Sequence, residues 1–242
     1  MTQTNDVQAN DVQAAMNQYW TQRSVPYDEY QQRADRKDLD LEAWRQVFTD
    51  ALGTEPLDVL DVGTGSGYVA CTLAGLGHRV TGIDLADGML ERARLHAGAM
   101  TNPPTFLRGD AVDPGFPAGS FDAVVNRYVT WTLREPDTAL ANWLQLLRPG
   151  GTLAVVDATW FADGLYVNAS EEFKSHYDEQ VRQAIPLAES TSIEPFAERI
   201  RAAGFVDVQV VELTRLHELD VEYGVAPNHE VLMQYLIRGT RP

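Results

Sequence analysis

The chain has 242 residues, 44% of them hydrophobic and 22% charged, which gives enough apolar material for one sizeable core and too few charges for a disordered chain. Its 19 Lys+Arg against 35 Asp+Glu leave a formal charge of −16, which disfavours nucleic acid and anionic membranes as partners. A single cysteine, Cys71, excludes an internal disulfide and a Cys-based zinc site, and only Lys37 and Lys174 are available for lysine Schiff-base chemistry.

Residues 1–15 are polar and acidic, unlike a signal or transit peptide, and are expected to fray. No apolar run reaches the roughly 18 residues needed to span a bilayer. These features predict a cytoplasmic protein. An aromatic stretch follows, with Tyr19, Trp20, Tyr27 and Tyr30. Leu41, Trp44, Phe48 and Leu52 then fall at helical spacing, and Gly53 ends that helix. From residue 57 the pattern becomes strand, glycine turn, helix. LDVLDV (57–62), RVTGID (79–84), PTFLRG (104–109), FDAVVN (121–126) and TLAVVD (152–157) read as five strands. Helices lie between them: YVACTLAG after the glycines, a helix from Asp87 with Met89, Leu90 and Ala93 inward, and a helix opened by Pro136. Such alternation predicts a parallel sheet covered on both faces. The rhythm breaks over 158–190, which is aromatic and acidic. A helix from Ser192 is stopped by Gly204. FVDVQVVEL (205–213) and EVLMQYLI (230–237) read as an antiparallel pair joined by a long loop.

DVGTGSG stands between a strand and a helix, where doubly wound folds bind nucleotide-like ligands. Gly65, Gly67 and Ala70 fit a relaxed dinucleotide fingerprint, and Asp84 sits where a ribose-binding acid belongs. The loop alone therefore leaves a nicotinamide cofactor and S-adenosylmethionine (SAM) both open. Three features favour SAM. Asp61, just before the glycines, suits the ammonium of a methionine moiety and would repel a pyrophosphate. Asp110 follows the third strand, where a carboxylate can accept the adenine amine. The Tyr-x-x-x-Lys pair of many nicotinamide enzymes is absent.

VLDVGTGSG, VTGIDLADGML, FLRGDAVDPGFPAGSFDAVV and LLRPGGTLAVVD, in this order, resemble the successive motifs of class I SAM-dependent methyltransferases. The likeness runs over 57–157 and more weakly to the C-terminus. NRYVTWTLREPDTALANWLQLLRPGG is similar to a bacterial subgroup acting on small molecules, many in antibiotic biosynthesis and other secondary metabolism. The resemblance implies a Rossmann-like, doubly wound seven-stranded α/β sheet of order 3-2-1-4-5-7-6 with strand 7 antiparallel. It also implies one domain with an N-terminal helical lid (16–53), a SAM-binding core (54–157), an acceptor cap (158–190) and a C-terminal part (191–242). Asp61, Gly63 and Gly65 match the methionine-binding loop, Asp84 the acid that grips the ribose, and Leu85 an apolar contact beneath adenine, with Met89 nearby. Asp110 and Ala111 match the adenine edge, and Asn126 a residue whose carbonyl helps hold the methionine amine. The family commonly has His where this chain has Tyr128.

Methyl transfer from a sulfonium needs alignment more than activation. Tyr19, Trp20 and Tyr27 resemble a lid over the cofactor, with Tyr27 expected near the methyl group, where a ring attracts a sulfonium; they can equally serve to staple the lid to the core. Trp160, Phe161, Tyr166, Phe173 and Tyr177 suit a flat apolar acceptor, with Tyr128 and Trp131 as further candidates, though the same rings could be ordinary cover. His176 is the candidate general base, against the plainer reading of a solvated helix residue. His217 and His229 are weaker candidates, while His78 and His96 read as surface positions. Arg127 and Asp157 point to the mouth of the sheet, either as an ion pair or to orient the acceptor. No metal-ligand spacing occurs, so no metal is expected. The expectation is a monomeric or homodimeric enzyme that methylates a small-molecule acceptor, an aromatic or heteroaromatic natural-product intermediate, at O, N or C and releases S-adenosylhomocysteine (SAH). The alternatives are a non-catalytic SAM-binding protein and an NAD(P)-dependent oxidoreductase.

Overall fold

The computed structural model describes residues 2–226 and 229–242, residues 2–10 through the backbone alone. Seven strands, β1 (Asp58–Val62), β2 (Arg79–Asp84), β3 (Thr105–Arg108), β4 (Phe121–Arg127), β5 (Leu147–Asp157), β6 (Val206–Glu212) and β7 (Tyr235–Thr240), form one sheet. Their order is β3-β2-β1-β4-β5-β7-β6, as expected. The first five strands are parallel, and β7 runs antiparallel to both β5 and β6.

Period-two alternation along the strands explains the two layers of helices. Leu60, Val62, Ile83, Val124, Leu153 and Val155 face one core, built with α5 (Pro136–Leu146) and α8 (Glu194–Ala202). Val59, Val80, Ala123, Val125, Ala154 and Val156 face the other, built with α2 (Lys37–Leu52), α3 (Tyr68–Gly75), α4 (Asp87–Ala97) and α9 (Thr214–Tyr223). Trp143 of α5 is fully buried, and its indole N–H donates to the carbonyl of Ala111 at 2.8 Å. That bond ties the helix layer to the turn after β3.

Four expectations are corrected. Residues 2–15 belong to α1 (Thr2–Gln31) rather than to a frayed tail, because Val12, Met16 and Tyr19 bury one helical face; Met1 lies outside the described residues. The β6–β7 connection contains α9, whose Leu216 and Leu219 pack against the sheet. β7 begins at Tyr235, opposite Asp157, so 230–234 belongs to the connection and not to the strand. His78 is fully buried, its Nδ1 accepting the N–H of Leu57 at 3.2 Å.

α1 packs on α4 at close range. A Cβ on Gly88 would meet the Thr21 carbonyl at 2.7 Å, so glycine permits the approach. Asp28 is buried there and receives Arg92 at 2.5 Å and His96 at 2.7 Å. Over 158–190 the chain forms two short helices, α6 (Glu171–His176) and α7 (Glu179–Ala184), capped by Ser170 and Asp178.

Candidate active site

The site lies at the carboxyl ends of β1, β2 and β4, where the strand order reverses. Gly63, Gly65 and Gly67 all have left-handed φ values, of 65°, 54° and 80°. A Cβ on Gly63 would clash with the Val129 side chain, and one on Gly67 would meet Ala93 and Phe106 at 2.9 Å. Glycine is therefore required twice over, by conformation and by space. The loop is strapped to β2: Thr64 N–H donates to the Ile83 carbonyl at 2.8 Å, and Gly65 N–H to Asp84 at 2.9 Å. Ser66 donates to Gln31 at 2.9 Å, joining the loop to the end of α1.

A cavity of about 810 Å³ opens over this loop. On the β2–β3 side its wall includes Gly63, Gly65, Asp84, Leu85, Met89, Asp110 and Ala111. Tyr19, Trp20 and Tyr27 of α1 also line it, as do Arg127, Tyr128, Trp131, Trp160 and Phe173. The structure thus brings fifteen of the expected site residues onto one surface. Asp61 borders a small adjoining recess with Tyr27, Gly63, Gly65 and Arg127.

Besides Asp61, three expected residues do not line the cavity. Asn126 is buried: its side-chain oxygen accepts from Thr130 at 3.1 Å, and its amide nitrogen has no partner. His176 lies off the wall: its Nδ1 is 3.0 Å from the Glu172 carbonyl of its own helix turn, and its ring packs 5.8 Å from that of Tyr19. Tyr177 is fully buried, stacked on Phe173 at 4.4 Å and taking the Trp20 indole N–H at 2.9 Å. It is core beneath the cavity. Of the weaker candidates, His229 lines the cavity and His217 does not.

The carboxylates divide by environment. Burial pushes Asp61 up to about 7, against the Thr64 hydroxyl that donates to it at 2.6 Å. Burial also raises Asp84, whose two oxygens accept the N–H groups of Gly65 and Ala86 at 2.9 and 2.8 Å. Each oxygen keeps a further lone pair for a ligand hydroxyl. Asp110 accepts the Val112 N–H at 2.8 Å and pairs with Arg134 at 3.2 Å. Arg134 in turn donates to Gln13 of α1 at 2.8 Å.

The expected Arg127–Asp157 ion pair does not form. Asp157 takes the N–H groups of Trp131 and Ala158 at 3.1 and 3.0 Å and the Trp160 indole at 2.7 Å. Arg127 instead lies among the rings of Trp44, Tyr68 and Tyr128. Tyr128 adopts φ 64°, a rare conformation for a bulky residue, and its hydroxyl donates to Gln234. Gln234 donates to Asp220 at 2.9 Å, and Arg36 joins Asp220 to Asp40 at 2.7 and 2.8 Å.

Sequence reasoning missed this wall of Arg36, Asp40, Trp44, Tyr68, Asp220 and Gln234, all of which line the cavity. Tyr68, the first residue after the glycine loop, carried a local signal; the others meet only through the packing of α2 on α9. Among the described residues no helix is long and apolar enough to cross a membrane, and no group of three or more His, Cys, Asp or Glu could hold a metal ion.

A family described as "Methyltransferase domain" matches residues 60–155. Demethylmenaquinone methyltransferase of Renibacterium salmoninarum is 34% identical over 167 residues, 66% of this chain and 65% of that protein. Nocamycin O-methyltransferase of Saccharothrix syringae is 33% identical over 195 residues, 73% and 66% of the two chains. The chain thus spans just under two thirds of the length of these two relatives. Demethylmenaquinone methyltransferase of Mycolicibacterium vanbaalenii is 30% identical over 184 residues, 71% of this chain and 78% of that protein. Among solved structures, a SAM-dependent methyltransferase from Aquifex aeolicus superposes with a TM-score of 0.62 at 18% identity, covering 89% of this chain and 98% of that one. At that identity the likeness speaks for the fold.

Proposed function

Because the chain belongs to the class I SAM-dependent methyltransferases, we propose that it transfers the methyl group of SAM to a small-molecule acceptor and releases SAH. The observation that carries this reading is the continuity of the cavity, which joins the Asp84 and glycine-loop wall to an aromatic wall around Arg127. The family match replaces the nicotinamide reading.

The residues present fit the cofactor by their chemistry. Asp84 offers two carboxylate oxygens for a ribose diol, while Leu85 and Met89 give apolar surface for adenine. Asp110 and Ala111 would meet the adenine edge, with Asp61, Gly63 and Gly65 around the methionine end and the Asn126 side chain buried away from it. When bound, SAM supplies a methyl group already activated by a sulfonium leaving group. The protein's part is to orient and to exclude water. Tyr19, Trp20 and Tyr27 of α1 roof the cofactor, and Tyr27 borders the recess that holds Asp61. Arg127, Tyr128, Trp131, Trp160 and Phe173 hold the acceptor. An aromatic natural-product intermediate fits these rings, and the name of the Saccharothrix relative points the same way. His176 has no place in this scheme.

Ligand-induced shifts in melting temperature test the cofactor, since a ligand that binds only the folded state stabilises by about 2.7 kcal/mol at a hundredfold excess over its dissociation constant. SAH should raise Tm and NAD(H) should leave it unchanged; the opposite pattern overturns the reading. Release of SAH on incubation with SAM and a panel of small aromatic acceptors tests turnover. SAH binding without turnover on any acceptor would favour a non-catalytic SAM-binding protein.

A further inference from the structure

On the β4 side of the glycine loop the cavity wall carries a cation without a hydrogen-bond partner among the described residues. The guanidinium carbon of Arg127 lies 4.9, 4.7 and 4.8 Å from the ring centroids of Trp44, Tyr68 and Tyr128. Those rings hold its faces. Its N–H edges make no hydrogen bond and no ion pair among the described residues. The nearby acids are engaged: Asp40 and Asp220 by Arg36, Asp61 by Thr64, and Asp157 by two backbone N–H groups and the Trp160 indole. The Tyr68 hydroxyl, next to Arg127, is buried and also lacks a partner.

A guanidinium offers five donors in a rigid fork that matches an oxyanion, and Arg127, half-buried on the cavity wall, presents that fork without a protein acceptor among the described residues. We propose that Arg127 anchors an oxyanion of the methyl acceptor, so that the acceptor is a planar small molecule bearing a carboxylate or an ionised hydroxyl. This rests on the methyltransferase reading and adds the charge of the substrate to it. The chemistry balances without a base. A lone pair of the anion forms the bond to the methyl carbon, and the S–CH₃ bond breaks with its electrons going to sulfur. Anion and sulfonium leave as a neutral methylated product and a thioether. Arg127 is the only cation touching all three rings, and among the described residues His229 is the histidine on the cavity wall.

The test uses three probes of one shape, 2-naphthoate, 2-naphthamide and 2-naphthol, titrated by calorimetry into the SAH-loaded protein at about pH 8, above the usual histidine range. Naphthoate should bind at least about tenfold tighter than the neutral amide, as expected for a charge-assisted bidentate contact. In Arg127→Met that preference should fall to within about threefold, while Arg127→Lys, which keeps the charge and loses the fork, should retain part of it. Naphthol separates the two sources: affinity that rises as its hydroxyl ionises, in wild type and not in Arg127→Met, points to an ionised hydroxyl, and preference for naphthoate alone points to a carboxylate. Equal binding of naphthoate and naphthamide to wild type overturns the proposal with no variant needed, as does a preference that survives in Arg127→Met. A tenfold or greater loss of SAH affinity in Arg127→Lys also overturns it, because the arginine would then serve the cofactor. Failure of wild type to bind SAH at all would be a failure of the methyltransferase reading itself.

Discussion

Asp84 Oδ2 accepts the backbone N–H of Gly65 at 2.9 Å, so the carboxylate that ends β2 positions the glycine loop that follows β1. One side chain thus shapes the loop and faces the cavity. The two roles can be separated. Asp84→Ala should weaken SAH binding at least about tenfold and also lower stability by ~1–3 kcal/mol, because the N–H groups of Gly65 and Ala86 lose their acceptor. Asp84→Asn keeps an acceptor oxygen for one of the two N–H groups and should recover part of the stability but not the affinity. Calorimetry and denaturant unfolding on the same preparations read the two losses. Equal affinity in Asp84→Ala and wild type would remove this residue from the cofactor site.

The raised Asp61 gives a pH dependence with a definite sign. Its folded pKa of about 7 exceeds the ordinary carboxyl value. The carboxyl therefore favours folding while protonated, and that contribution disappears as pH rises from about 4 through about 7. Against Asp61→Asn, wild type should lose relative stability across this window. A ligand ammonium beside Asp61 needs the ionised form, so SAH affinity should rise with pH up to about 7 and flatten above it. The slope should be absent in Asp61→Asn. A wild-type profile flat from pH 5.5 to 7.5 would show that the methionine end lies elsewhere.

Tyr177 and Phe173 stack at 4.4 Å yet should respond differently. Tyr177→Ala opens a void in a fully buried position and should lower stability by roughly 3–5 kcal/mol, as large core truncations do. Phe173→Ala, at the cavity wall, should act on acceptor turnover more than on SAH affinity. His176→Gln should change neither turnover nor its pH profile, since the ring lies off the cavity wall with its Nδ1 held at its own helix turn. Loss of turnover in His176→Gln would require α6 to reorganise on acceptor binding.

Gly88→Ala tests the seating of α1. Its Cβ would meet the Thr21 carbonyl at 2.7 Å and the Ser24 hydroxyl at 2.9 Å. Overpacking of this kind costs about 1–3 kcal/mol. Hydrogen exchange should quicken along α1 while the amides of β1 and β4 stay protected. Unchanged exchange in α1 would mean that the helix shifts at no cost.

The sheet was legible because its local signals agree. Val59 to Val62, Val80 to Ile83 and Ala123 to Val125 are β-rich runs, each followed by a turn and a helix, and a parallel sheet follows from that rhythm. Asp84, Asp110 and the glycines were legible for the same reason: each sits at a fixed offset from a strand end. What escaped was non-local. EVLM read as strand together with the QYLI that follows it, yet no neighbouring chain offers it a ladder. Leu216 and Leu219 lie in a segment with weak caps, and α9 owes its existence to the sheet beneath it. Tyr177 and His176 are adjacent in sequence and opposite in fate, because a helix one turn long presents one of them inward. Trp44 was read as core, which it is, but its ring also covers Arg127.

The acidity of the whole molecule and the Arg127 guanidinium in its cavity pull in opposite directions on any anion. A small oxyanion approaching a protein of formal charge −16 is repelled at long range. Once beside Arg127 it is held at short range, inside the cavity. Dissolved salt acts mainly on the first of these fields, because the Debye length is about 8 Å at physiological ionic strength. Capture of an anionic acceptor should therefore quicken as salt is added, while its escape changes little. A stopped-flow trace showing association slowed by salt would place the governing charge on the surface instead.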